Sequence, residues 1–397
     1  MHILCLTDAF WHDHTGGISK SLRPEIDGLV RLGHDVTIFS KRLYSHSPFK
    51  EQHDGYTLYR YPGPDKHSAF YRLYPLFSIF NMPRFIRSMH RHHPFDVGYV
   101  HNPFQAVGLI RALPNLKYVY NYHASAANEI RIDSEHGKYG KLTFLTNLII
   151  RWVNSIERKT VKHAHQVMVD SHFMGDNLCQ LQPSMDKSKL IRIPLCVDTN
   201  KFFFSQKVTA TRPKLGLPHN QFIIFTVRRL VARMGLENLI TAMKIVTAKF
   251  PHVLLLIGGK GYLADDLQNQ INNLNIKKSI RLLGFIPEEK LVHYYQASDI
   301  FVLPTLTYEG FGVVTIESLA CGTPVIATPV GATPEILRPL NERLLFDDNT
   351  PESIANGMMY WLANPPNVEF RHECRAFCER NFSPDIICNM LDDVLHT

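Results

Sequence analysis

Continuous apolar segments alternate with segments of helical apolar spacing along this chain, and that alternation limits the possible folds more than any other feature. Near the start, ILCLTDA has the composition of a buried strand. The next segment, ISKSLRPEIDGLVRLG, carries apolar residues at helical spacing, at Ile18, Leu22, Ile26, Leu29 and Leu32. The series continues with the predicted strands HDVTIFS, VGYVH, YVYNYH, QVMVDS and LIRIPL. Such alternation predicts an α/β fold with doubly wound, mostly parallel sheets.

The pattern breaks between residues 196 and 220, where CVDTNKFFFSQKVTATRPKLGLPHN is polar and carries two prolines. A second alternating series follows, with predicted strands FIIFTVRR, HVLLLIGG, SIRLLGF, DIFVLP and TPVIATP. A chain of 397 residues is also too long for one compact core. We therefore predict an N-terminal domain over 1–198, a second domain over 199–376, and a C-terminal helix over 377–397 that packs back toward the first domain.

Composition indicates an ordinary globular protein, with 45% apolar and 20% charged residues. No apolar run reaches the eighteen or so residues that cross a bilayer. The start, MHILCLTDAF, lacks the basic head and long apolar stretch of a signal peptide. These features predict a cytoplasmic protein, and seven cysteines at irregular spacing argue against a disulfide framework.

The positive charge lies in the first half of the chain. Residues 1–200 hold 24 Lys and Arg against 17 Asp and Glu, while residues 201–397 hold 19 of each. Basic clusters occur at RFIRSMHRHH (84–93) and RKTVKHAH (158–165), and such clusters attract anionic partners. The first cluster includes Phe85, Ile86 and Met89, so it predicts a peripheral contact with an anionic membrane. A merely solvated basic surface is the alternative.

Two glutamates, Glu309 and Glu317, flank a glycine turn in TYEGFGVVTIESLACGTPVIATPVG. The segment predicts a strand, a loop, a helix and a further strand, and ligands of such folds bind outside the carboxyl ends of the strands. The start of a helix is a natural phosphate site. Carboxylates accept hydrogen bonds from adjacent sugar hydroxyls, so the arrangement favours a nucleotide-sugar. A polar position on a surface helix is the alternative for Glu317.

The segment EGFGVVTIESLACGTPVIATPVGATPEIL resembles the retaining glycosyltransferases of family four, whose GT-B fold has two Rossmann-like doubly wound domains facing a central cleft. The resemblance implies that Glu309 binds the donor hexose and that Glu317 binds the ribose. It places the backbone of Phe311 and Gly312 beside the sugar and Val313 near the diphosphate. The predicted donor site also includes Gly310, Gly259 and Ile286.

The resemblance extends over nearly the whole chain. In HTGGISKSL, Gly16 and Gly17 match a glycine pair that opens a helix over the diphosphate, and in NYHAS, His123 matches a histidine beside the reacting sugar. In TVRRLVARMG, Arg229 aligns with the arginine of a Gly-Arg-Leu segment. Met234 stands where that family has a phosphate-binding lysine. Either Arg233 or Arg228 is a candidate to supply the missing charge. The predicted catalytic residues are thus His123, Glu309 and Arg229.

Rival motifs are weaker. The segment GGKGYLA half-matches a dinucleotide fingerprint, but no acidic residue ends the next strand, which disfavours an NAD-dependent dehydrogenase. The histidines of HDHTGG, at 12 and 14, lack a distant third metal ligand. No Asp-x-Asp occurs anywhere, so we predict no metal and no cofactor, and expect arginines and helix starts to neutralise the diphosphate.

The sequence therefore predicts a retaining, metal-independent glycosyltransferase that moves a hexose from a nucleotide-diphosphate sugar, most simply a UDP-sugar. The predicted acceptor is a glycan, a glycolipid or a small molecule, and surface polysaccharide or glycolipid synthesis is the predicted context. Nucleic acid is not a predicted partner, and the inner face of the membrane is the alternative location. A nucleotide-sugar-binding protein with lost or regulatory activity remains the competing hypothesis, supported by Met234.

Overall fold

The computed structural model describes residues 1–8, 10, 17–135, 143–205 and 211–397. The chain divides into two compact units. Unit 1 comprises Met1–Leu195 and Pro384–Thr397, and unit 2 comprises Cys196–Ser383. From the sequence, the first boundary was predicted at 198/199 and the returning C-terminal helix over 377–397. In the structure the helix Val368–Phe382 belongs to unit 2, and only the last helix belongs to unit 1.

Unit 1 contains an eight-stranded sheet with the strand order β3-β4-β2-β1-β5-β6-β7-β8. Every neighbouring pair is parallel except β3 and β4, which pair antiparallel. The strands are β1 (His2–Leu6), β2 (Asp35–Lys41), β3 (Lys50–His53), β4 (Tyr56–Tyr61), β5 (Val97–Val100), β6 (Tyr118–Tyr122), β7 (Gln166–Val169) and β8 (Leu190–Arg192). The central strands are buried on both faces, as parallel strands covered by helices must be.

Helices connect these strands. They are α1 (Gly17–Arg31), α2 (Tyr74–Leu76), α3 (Met82–His92), α4 (Pro103–Ala112), α5 (Ala126–Glu135), α6 (Thr143–His163), α7 (His172–Leu181) and the C-terminal α15 (Pro384–His396). A 3₁₀-helix, Ala69–Leu73, precedes α2, and a π-helical turn, Phe77–Asn81, follows it. Asn102 begins α4 because its side chain accepts hydrogen bonds from the amides of Phe104 and Gln105.

Unit 2 contains a five-stranded, wholly parallel sheet with the order β11-β10-β9-β12-β13. Its strands are β9 (Phe222–Val227), β10 (Val253–Gly258), β11 (Ile280–Gly284), β12 (Ile300–Leu303) and β13 (Val325–Ala327). Its helices are α8 (Leu236–Lys249), α9 (Ala264–Asn273), α10 (Glu288–Ala297), α11 (Val313–Ala320), α12 (Thr333–Leu337), α13 (Pro351–Ala363) and α14 (Val368–Phe382). The strand order reverses between β9 and β12, so the carboxyl ends of these strands mark the position where this class of fold binds ligands.

The predicted α/β class and doubly wound parallel sheets are confirmed in both units. The edge hairpin β3–β4 was not predicted, because KEQH is polar and lacks the apolar run of a buried strand. Its turn nevertheless has a local signal, Asp54-Gly55, with Gly55 at φ 84°. Within the described part of the chain, no helix has the length and apolarity that spanning a membrane requires.

One residue of the predicted membrane contact does not lie on the surface. Ile86 of α3 is fully buried, so it belongs to the core of unit 1 and not to a lipid-facing surface. Arg87 of the same helix donates hydrogen bonds to the carbonyl oxygens of Arg111 and Ala112, at the end of α4. The helical spacing of α3 explains the error, since Ile86 and the exposed Arg84 and Arg87 lie on different faces of one helix.

Candidate functional site

The clearest polar arrangement of unit 2 lies where the strand order reverses. Arg228 follows β9, and Glu309 lies in the loop after β12. Their side chains form an ion pair, with Arg228 Nη2 2.6 Å from Glu309 Oε2. Both side chains are more than nine-tenths buried. Breaking a buried pair of this kind by removing one partner typically costs about 3–5 kcal/mol.

A threonine completes this pair. Thr305 Oγ1 donates to Glu309 Oε2 at 2.8 Å and accepts from Arg228 Nη1 at 3.0 Å. Both bonds to Glu309, from Arg228 and from Thr305, end on the same carboxylate oxygen, Oε2. The other oxygen, Oε1, faces Gly312, where a Cβ added to the glycine would lie 3.4 Å from it. Oε1 is therefore the oxygen of Glu309 that can accept a hydrogen bond donated by a ligand hydroxyl.

Glycines shape the loop around Glu309. Gly312 precedes α11 with φ 81°, and Gly331 has φ 61°. A Cβ on Gly331 would lie 2.1 Å from the carbonyl oxygen of Glu309, so a side chain there would displace the loop. The same carbonyl accepts from the amide of Ala332 at 2.9 Å. Tyr308, immediately before Glu309, adopts φ 56°, which is uncommon for a residue other than glycine.

Glu317 lies on α11 and is buried, being only 2% exposed. This burial excludes the alternative in which it was a polar residue on a surface helix. The hydroxyl of Tyr295 donates to its Oε2 at 2.8 Å. Burial and the neighbouring Glu317 carboxylate hold the pKa of Tyr295 well above its usual value, so Tyr295 stays a donor. The predicted contact of Glu317 with a ribose stays a prediction.

Met234 stands where the family resemblance implies a phosphate-binding lysine, and Arg228 and Arg233 are the candidates to supply that charge. Met234 is buried, and its sulfur lies 2.9 Å from Arg228 Nη2. The guanidinium of Arg228 therefore reaches the end of the Met234 side chain. Arg233 instead donates from Nη1 to the carbonyl oxygen of Tyr308 at 3.0 Å. Arg229 is exposed at the same edge of the sheet. The geometry thus favours Arg228 over Arg233 as the source of the charge near position 234.

The remaining predicted donor residues of unit 2 lie around this edge. Gly259 follows β10 with φ 131°, and a Cβ there would clash with the carbonyl oxygen of Arg228 at 1.7 Å. Ile286 packs against Gly258 at the end of β10. The other predicted residues are Gly310, the buried Phe311, whose ring meets that of Phe382, and Val313, the first residue of α11. Their assignment to the donor site stays a prediction.

In unit 1, His123 follows β6 and takes part in a row of polar side chains at the carboxyl edge. Its Nε2 lies 2.9 Å from Nδ1 of His101, which follows β5. Its Nδ1 lies 3.6 Å from Asp170 Oδ2, after β7. Burial, and then the neighbouring His123, hold the pKa of His101 well below its usual value, so His101 is neutral near pH 7. These contacts fix the His123 ring from both sides.

The predicted glycine pair is only partly described. Gly17 is the first residue of α1. Gly16, like the histidines at 12 and 14, lies outside the described residues. Within the described ranges, no three His, Cys, Asp or Glu side chains are arranged to hold a metal ion.

Four residues with contacts to the predicted site residues were not predicted from the sequence, namely Thr305, Tyr295, His101 and Asp170. Three of them had a usable signal, because Thr305 directly follows the predicted strand DIFVLP, His101 ends VGYVH, and Asp170 is the next-to-last residue of QVMVDS. Polar residues at the carboxyl ends of parallel strands meet at one edge of the sheet. Tyr295 had no such signal, because its contact with Glu317 joins two helices that are separate in sequence.

Two family profiles match this chain. The family described as "Glycosyltransferase Family 4" matches residues 15–201, and "Glycosyl transferases group 1" matches residues 207–379. An uncharacterized glycosyltransferase of Methanocaldococcus jannaschii is 26% identical, over 86% of this chain and 84% of its own length. The phosphatidylinositol N-acetylglucosaminyltransferase GPI3 subunit of Saccharomyces cerevisiae is 22% identical, over 87% of this chain and 71% of its own.

Solved structures show the same fold. Sucrose-phosphate synthase from Thermosynechococcus elongatus superposes with a TM-score of 0.80 at 20% identity, covering 100% of this chain and 98% of its own. Anabaena HepE, in complex with UDP, superposes with a TM-score of 0.74 at 18% identity, covering 100% of both chains.

Proposed function

Because the chain belongs to the family 4-like glycosyltransferases of GT-B fold, we propose that it moves a hexose from a nucleoside-diphosphate sugar to an acceptor hydroxyl, with retention of configuration and without a metal ion. The observation that carries this proposal is the buried Arg228–Glu309 pair, which lies beside the start of α11 where the strand order reverses. This arrangement places a fixed cation and a fixed carboxylate at one ligand-binding edge.

Each group has a distinct part in donor binding. Arg228 and the exposed Arg229 neutralise the diphosphate, and the amides at the start of α11 add positive potential. Oε1 of Glu309 accepts hydrogen bonds from the sugar hydroxyls. Glu317, whose carboxylate is held by Tyr295, binds the ribose. Hydrogen bonds to charged groups contribute about 1.5–3 kcal/mol each.

In the reaction, the bond between the anomeric carbon and the leaving diphosphate oxygen breaks, and a bond from the acceptor oxygen to the same carbon forms. The acceptor proton passes to the leaving phosphate on the same face of the sugar. Arginines already in place stabilise the charge that develops on the diphosphate, and such preorganised groups need no rearrangement during the reaction.

The family resemblance makes UDP the simplest nucleotide, and the structural likeness to HepE, which binds UDP, supports that choice. The likeness to a phosphatidylinositol N-acetylglucosaminyltransferase subunit supports a lipid-linked acceptor. We place the reaction at the cytoplasmic face of a membrane, in the synthesis of a glycolipid or surface polysaccharide.

The direct test is a panel of UDP-, GDP- and ADP-sugars. Binding by the purified chain is read as a thermal shift, and turnover as release of the nucleoside diphosphate. A ligand at a hundredfold its dissociation constant stabilises the folded chain by about 2.7 kcal/mol. NMR of the product gives the anomeric configuration, and an inverted product would contradict retention.

One observation favours the competing proposal of a binding protein with lost activity. Oε2 of Glu309 is already occupied by Arg228 and Thr305, and position 234 carries no charge. If the chain is such a binding protein, a nucleotide-sugar should stabilise it, but neither sugar transfer nor slow hydrolysis of the donor should be detectable. The same panel therefore separates the two proposals.

A further inference from the structure

Exposed large apolar side chains concentrate on one side of unit 1. They come from two segments, the helical turns around α2 and the first half of α6. Their exposed fractions range from 39% to 68%, and the residues are Phe70, Leu73, Leu76, Phe80, Leu148, Ile149 and Trp152. We call these seven residues the apolar face. Single exposed apolar residues are ordinary, whereas a concentration of them marks an interaction surface.

The two segments rest on one shared support. Phe104 of α4 meets the ring of Tyr74 on one side, with the centroids 6.2 Å apart. It stacks on Trp152 on the other side, at 5.7 Å. Buried residues of both segments, Ile79 and Ile150, belong to the same core cluster as Phe104. The two segments that carry the apolar face are therefore neighbours in unit 1, joined through the buried Phe104.

The apolar face adjoins the carboxyl edge of the unit 1 sheet. The hydroxyl of Tyr74 donates to Asp8, which follows β1, at 3.2 Å. Lys41, the last residue of β2, lies 3.6 Å from the centroid of the Tyr74 ring. Ligands of parallel sheets bind at this edge. A partner on the apolar face would thus lie next to the ligand-binding edge of unit 1.

The exposed charges on the segments that carry and border the apolar face are basic. The segments 69–94, 103–117 and 146–163 carry a single acidic residue, Glu157, which is buried and accepts from Ser125 and the amide of Ala127. Their Lys and Arg residues are all exposed, namely Arg72, Arg84, Arg87, Arg91, Arg111, Lys117, Arg151, Arg158, Lys159 and Lys162. Arg111 also lies over the ring of Phe80. Exposed aromatic and aliphatic residues bordered by cations are the pattern of an interfacial membrane contact.

We propose that the apolar face docks on an anionic lipid bilayer, with Phe70, Leu76, Phe80 and Trp152 entering the interface and the arginines contacting the headgroups. This proposal rests on the proposed function only in that the docked lipid surface would present the acceptor. It replaces the α3 contact predicted from sequence, whose apolar residue Ile86 is buried. A protein partner is disfavoured because the exposed basic residues of these segments would require a specifically acidic counterpart, whereas an anionic bilayer supplies that charge without a specific partner.

The first test is flotation with vesicles of phosphatidylcholine, with and without phosphatidylglycerol. The wild type should float only with the anionic vesicles, and less so at high salt. The pair Leu73→Ser and Leu76→Ser should reduce flotation severalfold. The matched control pair, Leu32→Ser and Ile386→Ser, removes side chains of similar exposure elsewhere in unit 1 and should float as the wild type does.

The second test is the position of the tryptophan emission. Trp152 is 39% exposed, so its emission should shift to the blue on anionic vesicles, and Trp152→Phe should abolish the shift. Charge reversal at Arg84 and Arg151 should weaken flotation, whereas reversal at Lys277 and Lys278 of unit 2 should leave it unchanged. Nucleoside diphosphate binding is measured on every variant and reports separately on the proposed function.

Two outcomes would overturn the proposal. One is a wild type that stays unbound under every lipid and salt condition while still binding a nucleotide-sugar. The other is a chain that self-associates in solution through these residues, so that Leu73→Ser with Leu76→Ser yields a monomer without changing flotation. Flotation with no nucleotide binding would instead reject the proposed function and leave the docking surface standing.

Discussion

At the scale of single residues, Glu25 shows how burial changes a side chain. Glu25 lies in α1, only 2% exposed, and Tyr99 donates to its Oε2 at 2.8 Å. Burial raises the pKa of Glu25 from 4.5 to about 7. The folded chain thus keeps a proton that the unfolded chain releases between about pH 4.5 and 7. The free energy of unfolding therefore falls as the pH rises through this window.

We expect Glu25→Gln, which is neutral at every pH, to remove this loss. The difference in free energy of unfolding, Glu25→Gln minus wild type, should therefore grow by up to about 3 kcal/mol from pH 5 to pH 8. Urea unfolding is followed in a Trp361→Phe background, where the remaining tryptophans lie in unit 1. The neighbouring Cys5, His123 and Asp170 are unchanged in both proteins. Parallel stability curves would contradict the prediction, and Asp54→Asn, an exposed site, is the control.

Arg228 permits a second test, because its guanidinium reaches the sulfur of Met234. We expect Arg228→Gly to weaken nucleoside diphosphate binding about ten- to a hundredfold, the loss of one charged hydrogen bond. Adding Met234→Lys should restore most of that affinity. Met234→Lys alone should destabilise the chain, because it places two cations side by side. Calorimetric titration of all four proteins completes the cycle, and a double variant no better than Arg228→Gly would show that Arg228 does not replace the lysine.

At the scale of elements, glycines at positive φ hold the loop that carries Glu309. Gly331 and Gly216 have nearly the same φ, 61° and 63°. A Cβ on Gly331 would meet the Glu309 carbonyl, whereas a Cβ on Gly216 meets nothing within 4 Å. We expect Gly216→Ala to cost about 1–2 kcal/mol of stability and leave turnover unchanged.

Gly331→Ala should cost more stability than Gly216→Ala and should also lower turnover, because it displaces the Glu309 loop. Chemical unfolding and steady-state kinetics of the two variants make the comparison. Equal losses of stability with unchanged turnover in both would show that the Gly331 contact does not position Glu309.

The elements also show what sequence can and cannot predict. Glu309 was identified because it lies in the loop after the predicted strand DIFVLP, and the carboxyl ends of parallel strands share an edge. His123, at the end of YVYNYH, and Arg228, within FIIFTVRR, were identified through the family resemblance. The Arg228–Glu309 bond was not foreseeable, because the two residues are distant in sequence and the pairing depends on side-chain conformations. The burial of Ile86 and the exposure of Leu76 depend on which helix face meets the core. Helical spacing suggests such a face but does not say where it points.

At the scale of the whole molecule, the two units differ in charge and in surface. The excess of basic residues lies in the first half of the sequence, and the described surface of unit 1 combines such residues with the apolar face. The Arg228–Glu309 pair lies in unit 2, whose residues 196–383 hold 19 Lys and Arg against 17 Asp and Glu, a nearly balanced charge. The excess therefore fits the acceptor side of the proposed reaction, in which the donor is assigned to Arg228 and Arg229.

The proposed neutralisation of the diphosphate without a metal ion likewise concerns the whole chain. No Asp-x-Asp occurs in its 397 residues, and the proposed function assigns the diphosphate charge to arginines and helix starts. We expect the transfer rate to be unchanged after dialysis against EDTA. Added salt should instead weaken donor binding, because it screens contacts between exposed arginine and phosphate. Turnover is measured before chelation, after it, and after return of Mg²⁺ or Mn²⁺. A rate that EDTA abolishes and either ion restores would show that the diphosphate is bound through metal.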